Sequence, residues 1–589
     1  MMDAETPLYR PHTLFETSLK NQYHQTAEAF YEGLAEKSSL DKGANRAHLR
    51  LYEDAKKATE EAKKKLGKAK AAKGWTIFGI IIGFILLIIP GILMLMFYKN
   101  KIKARLAEAE NEYNKKLEAE QKALDQCYLD MAGLNALLDD DMPGQVMEKA
   151  TPIIDLDKTF TPERYSYMQK AFGMPEETDP DTSVLGVISG HIQGNPFVLE
   201  KVFRHEVQDK VYTGSIVITW TTTSTDSKGN VRTQTHTQTL TAESIHPAPA
   251  YWDETRLIYG SEVAPHLHFT RSPSGMSGKS EKDLDKFIKN RVKELDKKEQ
   301  AAIKKGKTFT KLGNDEFDAL FGADDRDHEV EYRLLFTPLA QRNMVELIKN
   351  PEPFGDDFMM VKDAKLTSVA SRHSQHFDYQ KPASYFVDYD FEAGKKKFVA
   401  YCDAFIKGLF FDLAPILSIP LYQTHKPHEF IYGDDYRSNM TSFEHEAMIN
   451  KMNKHLFMPE GADPDLPLVL KEANAHKISG TDEVNVLSRS YKTTPRVDYV
   501  SKMGGDGRIH QVPVHWIQYD EVKQNYNVGL VDSKATRPAF SHKSLEPVQK
   551  YLADRGLIFD RGLLSFFVGQ KEKLTPEMGN QLSDFFKKD

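Results

Sequence analysis

The chain has 589 residues, a net charge of -7 and a pI near 6.3, so no global basic field points to nucleic acid as a partner. Hydrophobic residues make up 40% and charged residues 28%, ordinary for a globular protein with enough apolar material for several cores. Only two cysteines occur, Cys127 and Cys402, far apart in segments of different composition, which argues against a disulfide framework and against a cysteine zinc site.

Residues 1–43 form an N-terminal segment. Its opening, MMDAETPLYRPHTLFETSLK, has no apolar run behind its basic residues, so a cleaved signal peptide is not expected. Residues 44–140 read as helical arms around a membrane segment at 75–98. Upstream, Leu51, Ala55, Ala58, Ala62, Leu66 and Ala69 recur every three or four residues. Downstream the pattern returns at Leu117, Leu124, Cys127, Met131, Leu134 and Leu138. These are one-faced, coiled-coil-like helices rich in Ala, Glu, Lys and Leu. An alanine seam permits close approach but buries little area. Protein partners or self-association are therefore expected through helices 44–73 and 102–138.

Between the arms lies WTIFGIIIGFILLIIPGILMLMFY, 24 residues without a charge from Trp75 to Tyr98. As one helix it would be about 36 Å long, against a hydrocarbon core of about 30 Å. Trp75 and Tyr98 stand at its ends, where amphipathic rings prefer the interface. Two topologies fit: a single span, or a re-entrant hairpin turning at Pro90 and Gly91, where the helix ladder is weakened. Eight lysines occupy 54–73 and six Lys or Arg occupy 99–118. Both flanks ask for the cytoplasmic side, which only the hairpin grants. The expected location is an inner (cytoplasmic) membrane, with the large C-terminal part on the cytoplasmic side.

Beyond the arms the pattern is α+β, since strands and helices alternate without βαβ spacing. Met168–Asp181, MQKAFGMPEETDPD, matches Met452–Asp465, MNKHLFMPEGADPD, at eight of fourteen positions, and an ISG follows each. In the first copy VYTGSIVITW leads through DSKGN into VRTQTHTQTL. In the second RVDYVSKM leads through GGDG into RIHQVPVHWIQY. Gly and Asp suit such tight turns. The reading is a duplicated helix–turn–β-hairpin unit, at 151–280 and at 443–589. Between the copies, SPSGMSGKS (Ser272–Ser280) reads as a flexible break, 281–305 as a charged surface helix, and 306–435 as a central α+β domain. In that domain Thr337 caps a helix with Pro338 at its first position. Strands are expected within 358–379, and Phe391, Phe398, Cys402, Phe405 and Leu409 mark an aromatic-faced helix.

Chemistry is sparse. The sequence holds no Walker loop, nucleophile elbow, HExxH or CxxC. Glu176, Asp179 and Asp181, or Glu460, Asp463 and Asp465, raise calcium, but three carboxylates around a proline fall short of six to eight oxygens, and Asp-Pro turn chemistry accounts for them. Weak metal candidates are His373 with His376 and His425 with His428. His266 with His268 and His510 with His515 are further pairs, each lacking a third ligand. No catalytic residue and no cofactor is assigned.

The stretch FDALFGADDRDHEVEYRLLFTPLAQRNMVELI, behind a basic-flanked hydrophobic segment and a GSIVITW strand, resembles a block in a prokaryotic family of membrane-anchored proteins of unknown function. The matching letters are Phe317, Phe321, Tyr332, Leu334, Leu335, Thr337 and Pro338. The resemblance covers about a third of the chain, which departs from the pattern in having one hydrophobic stretch and a long extra C-terminal part. It implies a membrane anchor and a cytoplasm-facing domain, and no activity. The functional expectation is a membrane-anchored interaction or scaffold protein. The alternative is a membrane-tethered hydrolase or metal-dependent enzyme with an unrecognised site. A pore is disfavoured, because one hydrophobic segment cannot line a path without oligomerising.

Overall fold

The computed structural model describes residues 8–86, 95–176, 178–225, 230–306, 308–351, 353–377, 379, 381–424, 426, 436–478, 480–532, 556–570 and 572–574. The chain is α+β with two antiparallel sheets. It divides into a helical unit, Lys20–Val146 with Lys381–Ile406, and a β unit, Met1–Leu19, Met147–Gln380 and Lys407–Asp589. Both units are therefore discontinuous in sequence.

In the helical unit, Asp41 starts a 45-residue outgoing helix, Lys42–Leu86, by accepting hydrogen bonds from the amides of Gly43 and Ala44 at 2.8 and 2.9 Å. A return helix, Lys103–Leu137, runs antiparallel to it. His48 meets Asp130 at 2.7 Å, Lys65 meets Glu112 at 2.9 Å, and Leu66 and Ala69 pack on Leu106. As one index rises the other falls, so the chain reverses direction between Leu86 and Tyr98. Tyr389 lies edge-on to both Tyr52 and Tyr128, 5.5 and 5.6 Å between ring centroids, and joins the two helices near their base. The Lys20–Lys37 helix packs Tyr31 on Phe391 and Phe398 and pairs Glu32 with Lys395 at 3.0 Å.

The seam differs in part from the sequence expectation. Ala62, Leu66, Ala69, Cys127, Met131, Leu134 and Leu138 are buried, but Leu51 and Leu117 are 61% and 44% exposed, and Thr59 takes a seam position instead. Of the expected membrane segment Trp75–Tyr98, residues 87–94 lie outside the described residues. Among the described residues no helix is long and apolar enough to cross a membrane.

In the β unit one sheet has the order β1 (Ile154–Leu156), β2 (Thr182–Ile192), β3 (Asn195–Thr225), β4 (Val231–Gly260), β7 (Leu366–Ser371), β6 (Phe358–Asp363), β5 (His268–Arg271), and the other the order β11 (Ile558–Asp560), β12 (Leu563–Gly569), β10 (Ile509–Asp532), β9 (Thr481–Met503), β8 (Val469–Ile478). Each copy of the sequence repeat precedes a three-stranded meander: β2 (Thr182–Ile192), β3 (Asn195–Thr225) and β4 (Val231–Gly260) after the first, then β8 (Val469–Ile478), β9 (Thr481–Met503) and β10 (Ile509–Asp532) after the second. Asp179 Oδ1 accepts the amide of Asp181 at 2.9 Å, and Asp463 Oδ1 accepts that of Asp465 at 3.1 Å, so both copies make the same Asp turn. The ISG match is not equivalent in structure. Ile188 pairs mid-strand with Leu199, whereas Ile478 pairs with Thr481 at a hairpin end.

The long hairpins β3–β4 and β9–β10 pack face to face through Ile218, Leu240, Ala242, Val512 and Val514. Gly214 permits this approach, because a Cβ there would collide with the Pro513 carbonyl. A buried helix, Ser442–Lys451, is sandwiched between the sheets. Phe443 and Ala447 join the core of the first sheet, while Met448, Ile449 and Met452 join that of the second. The Ser272–Ser280 stretch is not a free linker. Ser274 and Gly275 donate their amides to the Asp356 carboxylate at 2.6 and 2.9 Å. The capping of Pro338–Lys349 by Thr337 and the hairpin of β6 (Phe358–Asp363) with β7 (Leu366–Ser371) match the sequence.

Candidate functional site

The exposed apolar surface of the helical unit concentrates at the far end of the hairpin. Trp75 is 74% exposed and Phe78 55%, and their rings meet edge-on at 6.2 Å. Ile77, Ile81 and Ile82 on the outgoing helix are exposed as well, as are Met96 and Phe97 just before the return. The cause is the register. The seam residues Ala62, Leu66 and Ala69 face the partner helix, and beyond Lys73 the outward face turns from lysine to aromatic and aliphatic side chains. Contiguous exposed apolar surface of this kind marks a place meant to be covered. Tyr98 is half-buried at the start of the return arm. Pro90 and Gly91 lie outside the described residues.

Among the described residues the histidines do not assemble into metal sites. His373 is buried, with Nδ1 2.7 Å from Asp357 and Nε2 3.2 Å from Asp412. Burial opposes its charge, but the two carboxylates outweigh burial and raise its pKa to about 10, so it is a cation in a carboxylate clasp. The side chain of His376, and all of His425 and His428, lie outside the described residues. His266 and His268 each take their own carboxylate, Glu331 and Asp327, both at 2.8 Å. His510 pairs with Asp506 at 3.0 Å, and the odd spacing to His515 puts that residue on the other face of β10. Among the described residues no group of three or more His, Cys, Asp or Glu is arranged to hold a metal ion.

The acidic turns serve docking between the copies. Asp181 holds His205 at 3.0 Å and Arg489 at 2.9 Å, and His205 in turn meets the Tyr491 hydroxyl at 2.8 Å. Asp463 accepts from Thr493 at 2.6 Å, two residues along β9. Both motifs therefore converge on Arg489–Thr493. Glu176 and Glu460 add no ligand set to them.

Sequence reasoning missed the most densely charged buried region, the Ser442–Lys451 helix. Glu444 accepts the Phe160 amide at 2.8 Å and two guanidinium hydrogens of Arg561 at 3.0 and 2.6 Å. His445, fully buried, meets Glu472 at 2.7 Å and Asp482 at 3.0 Å. Burial works against its charge, and the two carboxylates overcome burial and raise its pKa to about 9. Glu446 joins the two sheets. β2 and β8 each carry a bulge, after Val184 and after Glu472. At each, the amide turns from the ladder to one Glu446 oxygen, at 2.7 Å from Val184 and 3.1 Å from Glu472. Burial pushes the Glu446 carboxyl up to about 7, against the pull of Lys471. The one signal available was the run FEHEAMINK behind a capping threonine, which reads equally as a solvated helix.

One constellation imitates a catalytic triad. Ser244 Oγ, His246 Nε2 and Asp498 Oδ2 lie within 2.8 Å of one another. Serine and aspartate share the same imidazole nitrogen, so the ring cannot take a proton from one while the other orients it. The ring instead stacks on Trp516 at 3.5 Å and pins the two long hairpins together.

No family profile, curated protein or solved structure matches this chain.

Proposed function

We propose that this protein is a membrane-anchored scaffold, held to one face of a bilayer by the tip of its helical hairpin. The observation that carries the reading is the exposed apolar end of the antiparallel pair, with Trp75, Phe78, Ile81 and Phe97 uncovered. An antiparallel hairpin brings both basic flanks back to one side, which resolves the charge conflict of a single span. Burying each of the four large side chains in hydrocarbon contributes roughly 1.5–3 kcal/mol.

The scaffold part of the reading rests on the long hairpins. The face of β3–β4 turned away from β9–β10 exposes Val207, Val211, Val217 and Ile245. Such a surface suits contact with other proteins better than it suits chemistry.

Cell fractionation tests the reading. The full chain is expected to stay in the membrane pellet after a carbonate wash. A variant carrying Trp75→Ser, Phe78→Ser and Phe97→Ser is expected in the supernatant, with the β unit still folded by circular dichroism. Equal retention of both proteins in the pellet overturns the assignment of the hairpin tip.

A further inference from the structure

We propose that the hairpin carries a cationic collar that selects bilayers rich in anionic phospholipid. This inference rests on the reading of the hairpin tip as the membrane-inserted end. From Ala62 to Ala107 the sequence contains no aspartate or glutamate. Within that span Lys68 and Lys70 on the outgoing helix, and Lys101, Lys103 and Arg105 on the other arm, are exposed, while Lys73 is half-buried. The antiparallel register, with Lys65 opposite Glu112, brings these six residues within about 12 Å of one another along the stem. Farther from the tip, acidic residues return: Glu112 takes Lys65 at 2.9 Å, and Glu118 takes Lys122 at 2.7 Å. The acid-free basic run thus lies in the turns below the apolar tip, with Lys63, Lys64 and Lys65 continuing it down to Glu61.

Geometry places this ring at the phosphate level. Lys68, Lys70 and Lys73 stand two to seven positions before Trp75, about 3–10 Å along the helix axis. Trp prefers the interface itself, so its neighbours one or two turns back lie among the head groups. The long lysine stems follow the apolar helix surface while their charges reach outward. The whole ring sits within about one Debye length, 8–10 Å, of an anionic surface in contact with the tip. A purely apolar anchor needs no such ring, and a solvated coiled-coil stem would interleave both signs, as this one does below Lys65. Charge complementarity therefore names the occupant: a leaflet carrying anionic phosphate head groups.

Each basic residue near such a surface strengthens binding by about fivefold. Screening makes the increments less than additive, so the six together amount to a preference on the order of a hundredfold. The test is vesicle flotation with the full chain at about 0.1 M salt, using neutral phosphatidylcholine vesicles and the same vesicles with phosphatidylserine added. Three proteins are compared: the unaltered chain, a collar variant with the six residues changed to Gln, and the tip variant Trp75→Ser, Phe78→Ser, Phe97→Ser. The unaltered chain is expected to favour the anionic vesicles by about a hundredfold, a preference that high salt removes. The collar variant is expected to bind both vesicles alike, at the weaker level. A collar variant that keeps the full preference, or an unaltered chain that binds both vesicles equally, overturns the collar while leaving the tip intact. A tip variant that binds both vesicles as well as the unaltered chain overturns the tip reading itself, and the collar proposal with it.

Discussion

Replacing His445 by Gln probes the seating of the buried helix on the second sheet most sharply. The imidazolium lies between Glu472 and Asp482 with no solvent exposure. Its pKa is raised from an ordinary 6.5 to about 9. That difference corresponds to roughly 3 kcal/mol of stability supplied by the charged form. A raised folded-state pKa means that the contribution is fully present below pH 6.5 and is lost as pH rises through about 9. Glu446, raised to about 7 by burial, loses its own contribution earlier, between about pH 4.5 and 7. His373, raised to about 10, weakens with His445 but slightly higher. The difference between the unaltered chain and H445Q isolates the first residue from the other two. Guanidinium unfolding, followed through Trp220, Trp252 and Trp516 in the β unit, supplies the measurement. H445Q is expected to cost about 3–5 kcal/mol at pH 6.5, since it leaves two carboxylates without their cation. The gap is expected to shrink by about 3 kcal/mol by pH 10. Parallel stability curves for the two proteins from pH 6.5 to 10 would refute the reasoning.

Gly214→Val pushes a side chain into the Pro513 carbonyl and wedges the two long hairpins apart. It is expected to destabilise the β unit by about 1–3 kcal/mol, seen as a lower unfolding midpoint in the same assay. Gly67→Ala has the opposite sign. Gly67 lies inside the outgoing helix with open space at its Cβ position, so the change is expected to stabilise the helical unit by about 0.5–1 kcal/mol, measured by thermal circular dichroism at 222 nm.

Local patterns with one physical cause were legible in the sequence. Asp-Pro-Asp turns, the Thr337 cap and the Gly504–Gly507 hairpin loop appear where turn and cap chemistry put them, because those signals involve neighbours in the chain. The helical arms were legible, yet two seam positions were not. Leu51 and Leu117 continue the apolar spacing but face outward, and periodicity alone cannot tell which of two adjacent stripes meets a partner. The repeat was visible in its acidic turns, while the ISG echo misled, because three matching letters carry no register. The charged helix Glu444–His445–Glu446 stayed hidden for a different reason. Its stabilising partners, Glu472, Asp482 and Arg561, lie up to 117 positions away and come together only when the second sheet forms. The hairpin tip was legible as an apolar belt. Its direction was not, since reversal depends on which faces of two separated helices meet.

The most direct test of the membrane account is the sidedness of the two arms. Single reporter cysteines at Glu60→Cys and Lys116→Cys, with Cys127 and Cys402 changed to Ser, are probed in sealed native vesicles with an impermeant maleimide. The hairpin account predicts that both positions react from the same face of the bilayer. Labelling of the two positions from opposite faces would contradict it.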